Sequence, residues 1–454
     1  MFWKIVRFFL QFSFIGELII STVAQACPIY LTIGLDGKIY QESALQLNWA
    51  SDCYVRPEWY GIYTEEPSSI LLDPYIRIQN VSDGIHRLAI KQKVGKLKFP
   101  LGWNRNDNTE NVPHYKKMKC LDYYVASFRG NELLSVECLK IYPNWMRSHE
   151  GMGRMQLKNL FIPGTHASGA YLTNYGATKS IFIKEHAISQ YFDVWSQLVF
   201  GIRYLDLSIG VYKASSSSDP LNPEKFWIVN ENMFINQLRF ILKDVRKFVA
   251  LSGEVVILDF SSFPIGFYKR PEVHMELYSM INRELGSLAY QHNDSTVPCY
   301  NLTIDDIVNT NRTIIILYPL DELPHPANES PILCQPWKRF STGFMNTSQA
   351  LDYMRLLFSK KKSSPVQDEG WTFNAIKSME QSLNMEKLQT AKERALHINS
   401  KVSNWLRGPW GKTANVVTLD YFSSTNIIDV AINANIHKAF LKSNKNYVHF
   451  EITV

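Results

Sequence analysis

Asn159-Leu-Phe-Ile-Pro-Gly-Thr-His-Ala-Ser-Gly169 is the stretch on which the fold turns. Leu160, Phe161 and Ile162 read as a short buried strand. Pro163-Gly164 is expected to turn the chain and leave His166 at the strand's carboxyl end. About forty residues on, Gly201-Ile-Arg-Tyr-Leu-Asp-Leu-Ser208 repeats the design, with an acid, Asp206, near its end. Further strand candidates lie at 226–229, 255–260, 313–318, 371–376 and 416–421. Helical periodicity separates or follows them at 234–251, 272–288, 348–358, 385–406 and 425–438. Such alternation predicts a TIM-like α/β barrel or an open doubly wound sheet. A barrel collects function at the carboxyl ends of its strands. His166, Asp206, Asn230, Asp259 and Asp420 all fall at or near such ends. Gly-x-Gly-x-x-Gly is absent, so nothing points to a dinucleotide, and no cofactor is expected.

Upstream the pattern is different. Ile29-Tyr-Leu-Thr-Ile33, Ala44-Leu-Gln-Leu-Asn-Trp49, Tyr75-Ile-Arg-Ile-Gln79 and Leu121-Asp-Tyr-Tyr-Val-Ala-Ser127 alternate apolar and polar residues. Turn formers such as Asp36-Gly37 separate several of them, and Trp59-Tyr-Gly-Ile-Tyr63 adds an aromatic strand. This predicts an all-β sandwich over 27–145, ahead of a barrel over 146–441 and a tail at 442–454.

The first 26 residues read as a secretory signal, with Lys4 and Arg7, an apolar run, and Ala24-Gln-Ala26 before Cys27. Six cysteines in an oxidising compartment predict disulfides. Cys120 with Cys138 and Cys299 with Cys334 are candidate pairs. No Cys-x-x-Cys spacing supports a metal site. N-glycan acceptors occur at Asn80, Asn293, Asn301, Asn311, Asn328 and Asn346. The net charge of +6 is mild and spread out, which argues against nucleic acid as a partner. The cluster Lys360-Lys-Lys362 reads as a solvated helix end, with peripheral membrane contact as the sharper alternative.

Four motifs then converge: Ile162-Pro-Gly-Thr-His-Ala-Ser-Gly169, Gln197-Leu-Val-Phe-Gly-Ile-Arg-Tyr-Leu-Asp206, Glu254-Val-Val-Ile-Leu-Asp-Phe260 and Thr425-Asn-Ile-Ile-Asp-Val-Ala431. In this order they resemble the X domain of phosphatidylinositol-specific phospholipase C, in the branch of X-domain-containing proteins, over about 150–441. The resemblance implies a TIM-like barrel and cleavage of inositol phospholipids by two histidines. One takes the proton of the inositol 2-hydroxyl as it attacks phosphorus, and the other protonates the departing oxygen. A cation, arginine or calcium by branch, offsets phosphate charge. His166 matches the first histidine, Asp206 the acid of the second strand, and Asp420 the late acid that orients the base.

Three matched positions depart from the pattern. Ala167 stands where Asp or Asn is usual, Ser208 where arginine stands in branches without calcium, and Asn230 where the second histidine is expected. An amide cannot give a proton to an alkoxide, and Ala167 and Ser208 offer little to calcium. The expectation is therefore a phospholipase C-like phosphoric diester hydrolase by family whose catalysis is weak or lost, a pseudoenzyme that still binds an inositol phospholipid. One alternative is an active phosphodiesterase using His166 with an unconventional acid, His186 or Glu231. Another is a secreted interaction module with the barrel as scaffold. Arg203, three residues before Asp206 on one strand, is expected to face away from the pocket.

Overall fold

The computed structural model describes residues 27–35, 44–49, 55–67, 73–79, 87–93, 97–107, 118–149, 151–173, 180–212, 225–292, 297–325, 327–342, 345–362, 368–377 and 389–448. The secretory-signal expectation at 1–26 and the acceptors Asn80 and Asn293 lie outside them. The chain divides into two compact units. One comprises 1–31, 46–88 and 122–139. The other comprises 32–45, 89–121 and 140–454.

The amino-terminal strands are β1 (Ile29–Ile33), β2 (Ala44–Trp49), β3 (Trp59–Tyr63), β4 (Ile76–Gln79), β5 (Arg87–Lys93), β6 (Lys119–Arg129) and β7 (Glu132–Ile141). They form a three-stranded sheet in the order β1-β2-β5 and a four-stranded one in the order β4-β3-β6-β7, an all-β segment. Strand β3 runs antiparallel to both β4 and β6. Trp59 stacks on Phe128 at 4.0 Å between ring centroids, in a cluster with Tyr63 and Ala126. The aromatic run at 59–63 is thus core, as aromatics at strand spacing usually are.

The second unit is an α/β barrel. Its strands are β8 (Ile162–Thr165), β9 (Tyr204–Val211), β12 (Val256–Ile265), β13 (Ile314–Leu317), β14 (Leu333–Cys334), β15 (Lys338–Ser341), β16 (Trp371–Asn374) and β17 (Val416–Leu419). They pair in the order β14-β13-β12-β9-β8-β17-β16-β15. Every step is parallel, which is the order of a TIM-like barrel read once round, with its seam between β14 and β15. Helices α1 (Ile181–Ala187), α2 (Val194–Phe200), α3 (Leu238–Ser252), α4 (Pro271–Leu285), α5 (Thr347–Lys362), α6 (Ala391–Arg407) and α7 (Ile427–Val448) accompany them. Fully buried Ile257, Ile315, Val416 and Leu205 show why these strands read as unbroken apolar runs. Among the described residues no helix is long and apolar enough to cross a membrane.

Two expectations need correction. Pro163 and Gly164 do not turn the chain; they lie inside β8, paired with Val417 and Thr418. A β-carbon on Gly164 would stand 2.9 Å from Thr418 Cγ2 and 3.1 Å from Tyr204 Cβ, so only glycine lets the neighbouring strands approach. The turn comes later, at Ala167, whose φ is +40°. The other correction concerns 226–229. This stretch belongs to β10 (Phe226–Asn230), which forms a hairpin with β11 (Met233–Gln237) and runs antiparallel to the far end of β9. It is not a barrel strand, and the helix expected from 234 begins only at Leu238.

Within this unit, motif residues that look chemical are structural. Arg203 and Glu254, both fully buried, pair at 3.0 Å. Arg203 also donates to the carbonyls of Leu198, Ile202, Tyr142 and Pro143, while Glu254 accepts from the backbone of Met146 and Arg147. As expected, Arg203 faces away from the pocket. The stretch at 89–121 is fastened to the barrel's flank: Arg105 Nε donates to Asp244 at 2.9 Å, and Trp195 donates to the Trp103 carbonyl at 2.7 Å. Cys299 and Cys334 are bridged, as expected. Cys27, Cys120 and Cys138 are disulfide-bonded as well.

Candidate active site

At the carboxyl ends of β8, β9, β15 and β16 a cavity of about 300 Å³ opens among His166, Asp206, Ser208, Asn230, Glu231, Arg339 and Asn374. His166 follows the last residue of β8, and its backbone N–H donates to the Leu419 carbonyl of β17 at 3.1 Å. Gln190 Nε2 holds the His166 carbonyl at 2.8 Å and that of Leu419 at 2.9 Å. The imidazole Nδ1 lies 2.8 Å from Asp420 Oδ1. Asp420 is fixed in turn, because Asn399 of α6 donates to its carbonyl at 2.8 Å. With Nδ1 engaged, Nε2 is the ring nitrogen left for chemistry. The structure thus brings together two of the residues singled out from the sequence, His166 and Asp420.

Burial alone would strip His166 of its proton. Asp420, followed by Asp206 and Glu231, outweighs that and pushes the imidazole up to about 9. At pH 7 such a ring is mostly imidazolium, with about 1 molecule in 100 carrying the basic form.

Asp206 also stands in the cavity wall. Asn374 of β16 donates to its Oδ2 at 3.3 Å, and Oδ1 has no hydrogen-bond partner among the described residues. Beside it on β12, in register, is Asp259. Burial raises the Asp259 carboxyl, and the neighbouring charge of Asp206 adds to this against the opposing pull of Arg339. Asp259 accepts from Tyr204 Oη and from the Arg339 guanidinium.

The three departures are now concrete. Ala167 carries no ligand atom and sits at positive φ, where Asp or Asn is better tolerated than alanine. Ser262 donates to Ser208 at 2.8 Å, so the two hydroxyls satisfy each other at the expected arginine position. Ala167 and Ser208 offer calcium no carboxylate; among the residues lining the cavity Asp206 and Glu231 carry one each. Asn230 lines the cavity, but its Nδ2 is committed to the Ala187 carbonyl and to Ser189 Oγ, both at 2.8 Å. The other cluster of candidate ligand atoms, His292 with Cys299 and Cys334, contains the bridged cysteines, which leaves no thiolates for a metal.

Of the two alternative acids, His186 is buried in α1, stacks on Phe182, bonds the Phe182 carbonyl at 2.9 Å, and does not line the cavity. Glu231 does line it. The residue is held at φ +48° in the β10–β11 turn and ion-paired with buried Arg394 at 3.3 Å. Arg339 and Asn374 were missed. Lys338-Arg-Phe-Ser341 is too short and polar to announce a strand, and nothing in the sequence alone marks its arginine.

No family model matches the chain. In sequence it is 26% identical over 201 residues, 42% of its length, to a PI-PLC X-box domain-containing protein of Dictyostelium discoideum. The chain spans about a quarter of that relative, 24% of its length. Among solved structures, a pentafluoro-Phe-incorporated phosphatidylinositol-specific phospholipase C from Staphylococcus aureus is 16% identical with a TM-score of 0.49, covering 64% of this chain and 97% of that one. The phosphatidylinositol-specific phospholipase C from Listeria monocytogenes is 15% identical with a TM-score of 0.46, covering 64% and 98%. By sequence, the likeness to a PI-PLC X-box domain-containing protein extends over those 201 residues.

Proposed function

We propose, with an X-domain-like barrel as the premise, that this protein binds inositol phospholipids as a phospholipase C-like phosphoric diester hydrolase of impaired catalysis. The observation that carries the reading is an asymmetric cavity. His166, whose Nδ1 lies 2.8 Å from Asp420, lines it, and so does an amide, Asn230, at the position where the resemblance implies a proton donor. His166 Nε2 would take the 2-hydroxyl proton as that oxygen attacks phosphorus. Asp420 would steady the resulting imidazolium. The departing alkoxide then finds at position 230 an amide that has no proton to give. The base is limited too, since a ring pushed up to about 9 is scarcely deprotonated at pH 7.

The defining experiment is release of water-soluble inositol phosphate from phosphatidylinositol vesicles. Residual kcat/KM is expected to rise about tenfold per pH unit from pH 7 towards roughly 9 and then level, as His166 loses its proton. A flat profile contradicts His166 as the base. His166→Ala is expected to remove what turnover remains, a loss of about 10²-fold or more.

A second reading rests on Glu231, which shares the cavity and is held there at strained φ. As the unconventional acid it would make the enzyme active, although its ion pair with Arg394 engages it as an acceptor. Wild-type turnover that Glu231→Gln removes would favour this reading. We place the protein outside the cell, at or near membranes. Cysteines that are bridged wherever the structure describes them support an oxidising compartment.

A further inference from the structure

We infer that Arg339, reaching the cavity from β15, holds the phosphate of the bound diester and takes over the charge that Ser208 cannot supply. The inference rests on the phosphodiester reading above and adds a residue to it. Arg339 lines the same cavity as His166, and its side chain is 28% exposed, enough to meet a ligand. One edge of its guanidinium is anchored. Nη2 is on Asp259 Oδ2, and Nη1 makes a long 3.4 Å contact with the Ser261 carbonyl. Nε is buried and has no partner among the described residues, but each terminal nitrogen carries two N–H groups and uses one, so the fork keeps unspent donors.

The anchor is itself braced. Thr372 of β16 donates to Tyr204 Oη at 3.0 Å, and Tyr204 donates to the same Asp259 oxygen. Three residues from three other strands thereby set the plane of one guanidinium. Such support is superfluous for a surface ion pair but suits a planar group that must meet an anion in one orientation. Arginine remains charged at any relevant pH, so the role does not depend on titration. Asp259 and Asp206 nearby would repel a free anion. The pocket therefore favours a singly charged diester, with His166 as imidazolium on its other side, over dianionic phosphate.

The test is equilibrium binding of glycerophosphoinositol, a soluble diester, with inorganic phosphate and neutral inositol as comparison probes and phosphatidylinositol vesicles as the lipid form. Arg339→Met is expected to weaken glycerophosphoinositol about 10–100-fold and to leave the weak binding of neutral inositol unchanged. Arg339→Lys should recover part of the loss. The double variant Arg339→Met/Ser208→Arg, which returns the charge to β9, should recover more. Asp259→Asn, which keeps the arginine but loosens its anchor, should weaken the diester several-fold, and it decides the matter if Arg339→Met does not fold. Wild-type binding that survives both Arg339→Met and Asp259→Asn overturns the inference and leaves the functional reading standing. A wild type that binds no diester, or prefers inorganic phosphate, overturns the functional reading instead.

Discussion

Asn230→His is expected to raise phosphatidylinositol turnover by about 10²–10⁴-fold, the usual worth of a positioned acid or base. Position 230 already lines the cavity, at the end of a strand fixed against β9 and β11, so an imidazole there is aimed without new backbone. The amide bonds to Ala187 and Ser189 would be given up, which costs about 1 kcal/mol each and leaves the barrel intact. Adding Ala167→Asp should be neutral or better for folding, because aspartate tolerates the left-handed backbone at 167. Adding Ser208→Arg should contribute little beyond Asn230→His if Arg339 already meets the phosphate, although the removal of such a charge typically costs about 10²–10³ in rate. Initial rates of inositol phosphate release by the single, double and triple variants measure this. No gain from any of them, in folded protein, would mean that proton supply is not what limits the site.

Breaking the buried pair has the largest expected effect on stability. Arg203→Met would leave Glu254, fully buried, with a charge offset only by two backbone N–H groups. It also removes the guanidinium's bonds to four backbone carbonyls. A loss of about 3–5 kcal/mol is expected. The double variant Arg203→Met/Glu254→Leu should lose less than the sum of its parts, since no unpaired charge remains. Denaturant midpoints give both values, and a single-variant loss below about 1 kcal/mol contradicts the account. This pair explains why Arg203 and Glu254 sit inside motifs that otherwise look catalytic. They tie the start of the barrel to the segment before it.

The barrel was legible because its strands are buried on both faces, so 160–166, 202–209, 255–260 and 416–421 read as apolar runs ending in polar residues. Those endings identified His166, Asp206 and Asp420, and the structure brings His166 and Asp420 into contact. What failed was everything set by pairing partners and not by composition. Phe226-Trp-Ile-Val-Asn230 has the composition of a barrel strand but runs antiparallel to β9 and turns back into β11, through Glu231 and Asn232, which both take positive φ in a tight turn that contains no glycine to signal it. Pro163 looked like a turn residue, yet the parallel neighbour β17 accommodates it inside β8. The short, polar β15 carried no periodic signal, and with it Arg339 was invisible. The Lys360–Lys362 cluster does end a helix, α5, with Lys360 exposed, while Lys361 lies 5.1 Å from the Trp371 ring centre and is only partly exposed. Disulfides fared better, since Cys299 and Cys334 did pair.

Side-by-side assay of the wild type and Asn230→His on phosphatidylinositol vesicles at pH 7, with vesicle binding recorded in the same samples, tests the central claim most directly. The account predicts that both proteins bind the lipid and that only the variant releases inositol phosphate at an appreciable rate. Rapid release by the wild type, abolished in His166→Ala, would show that the cavity already holds a competent donor and would contradict it.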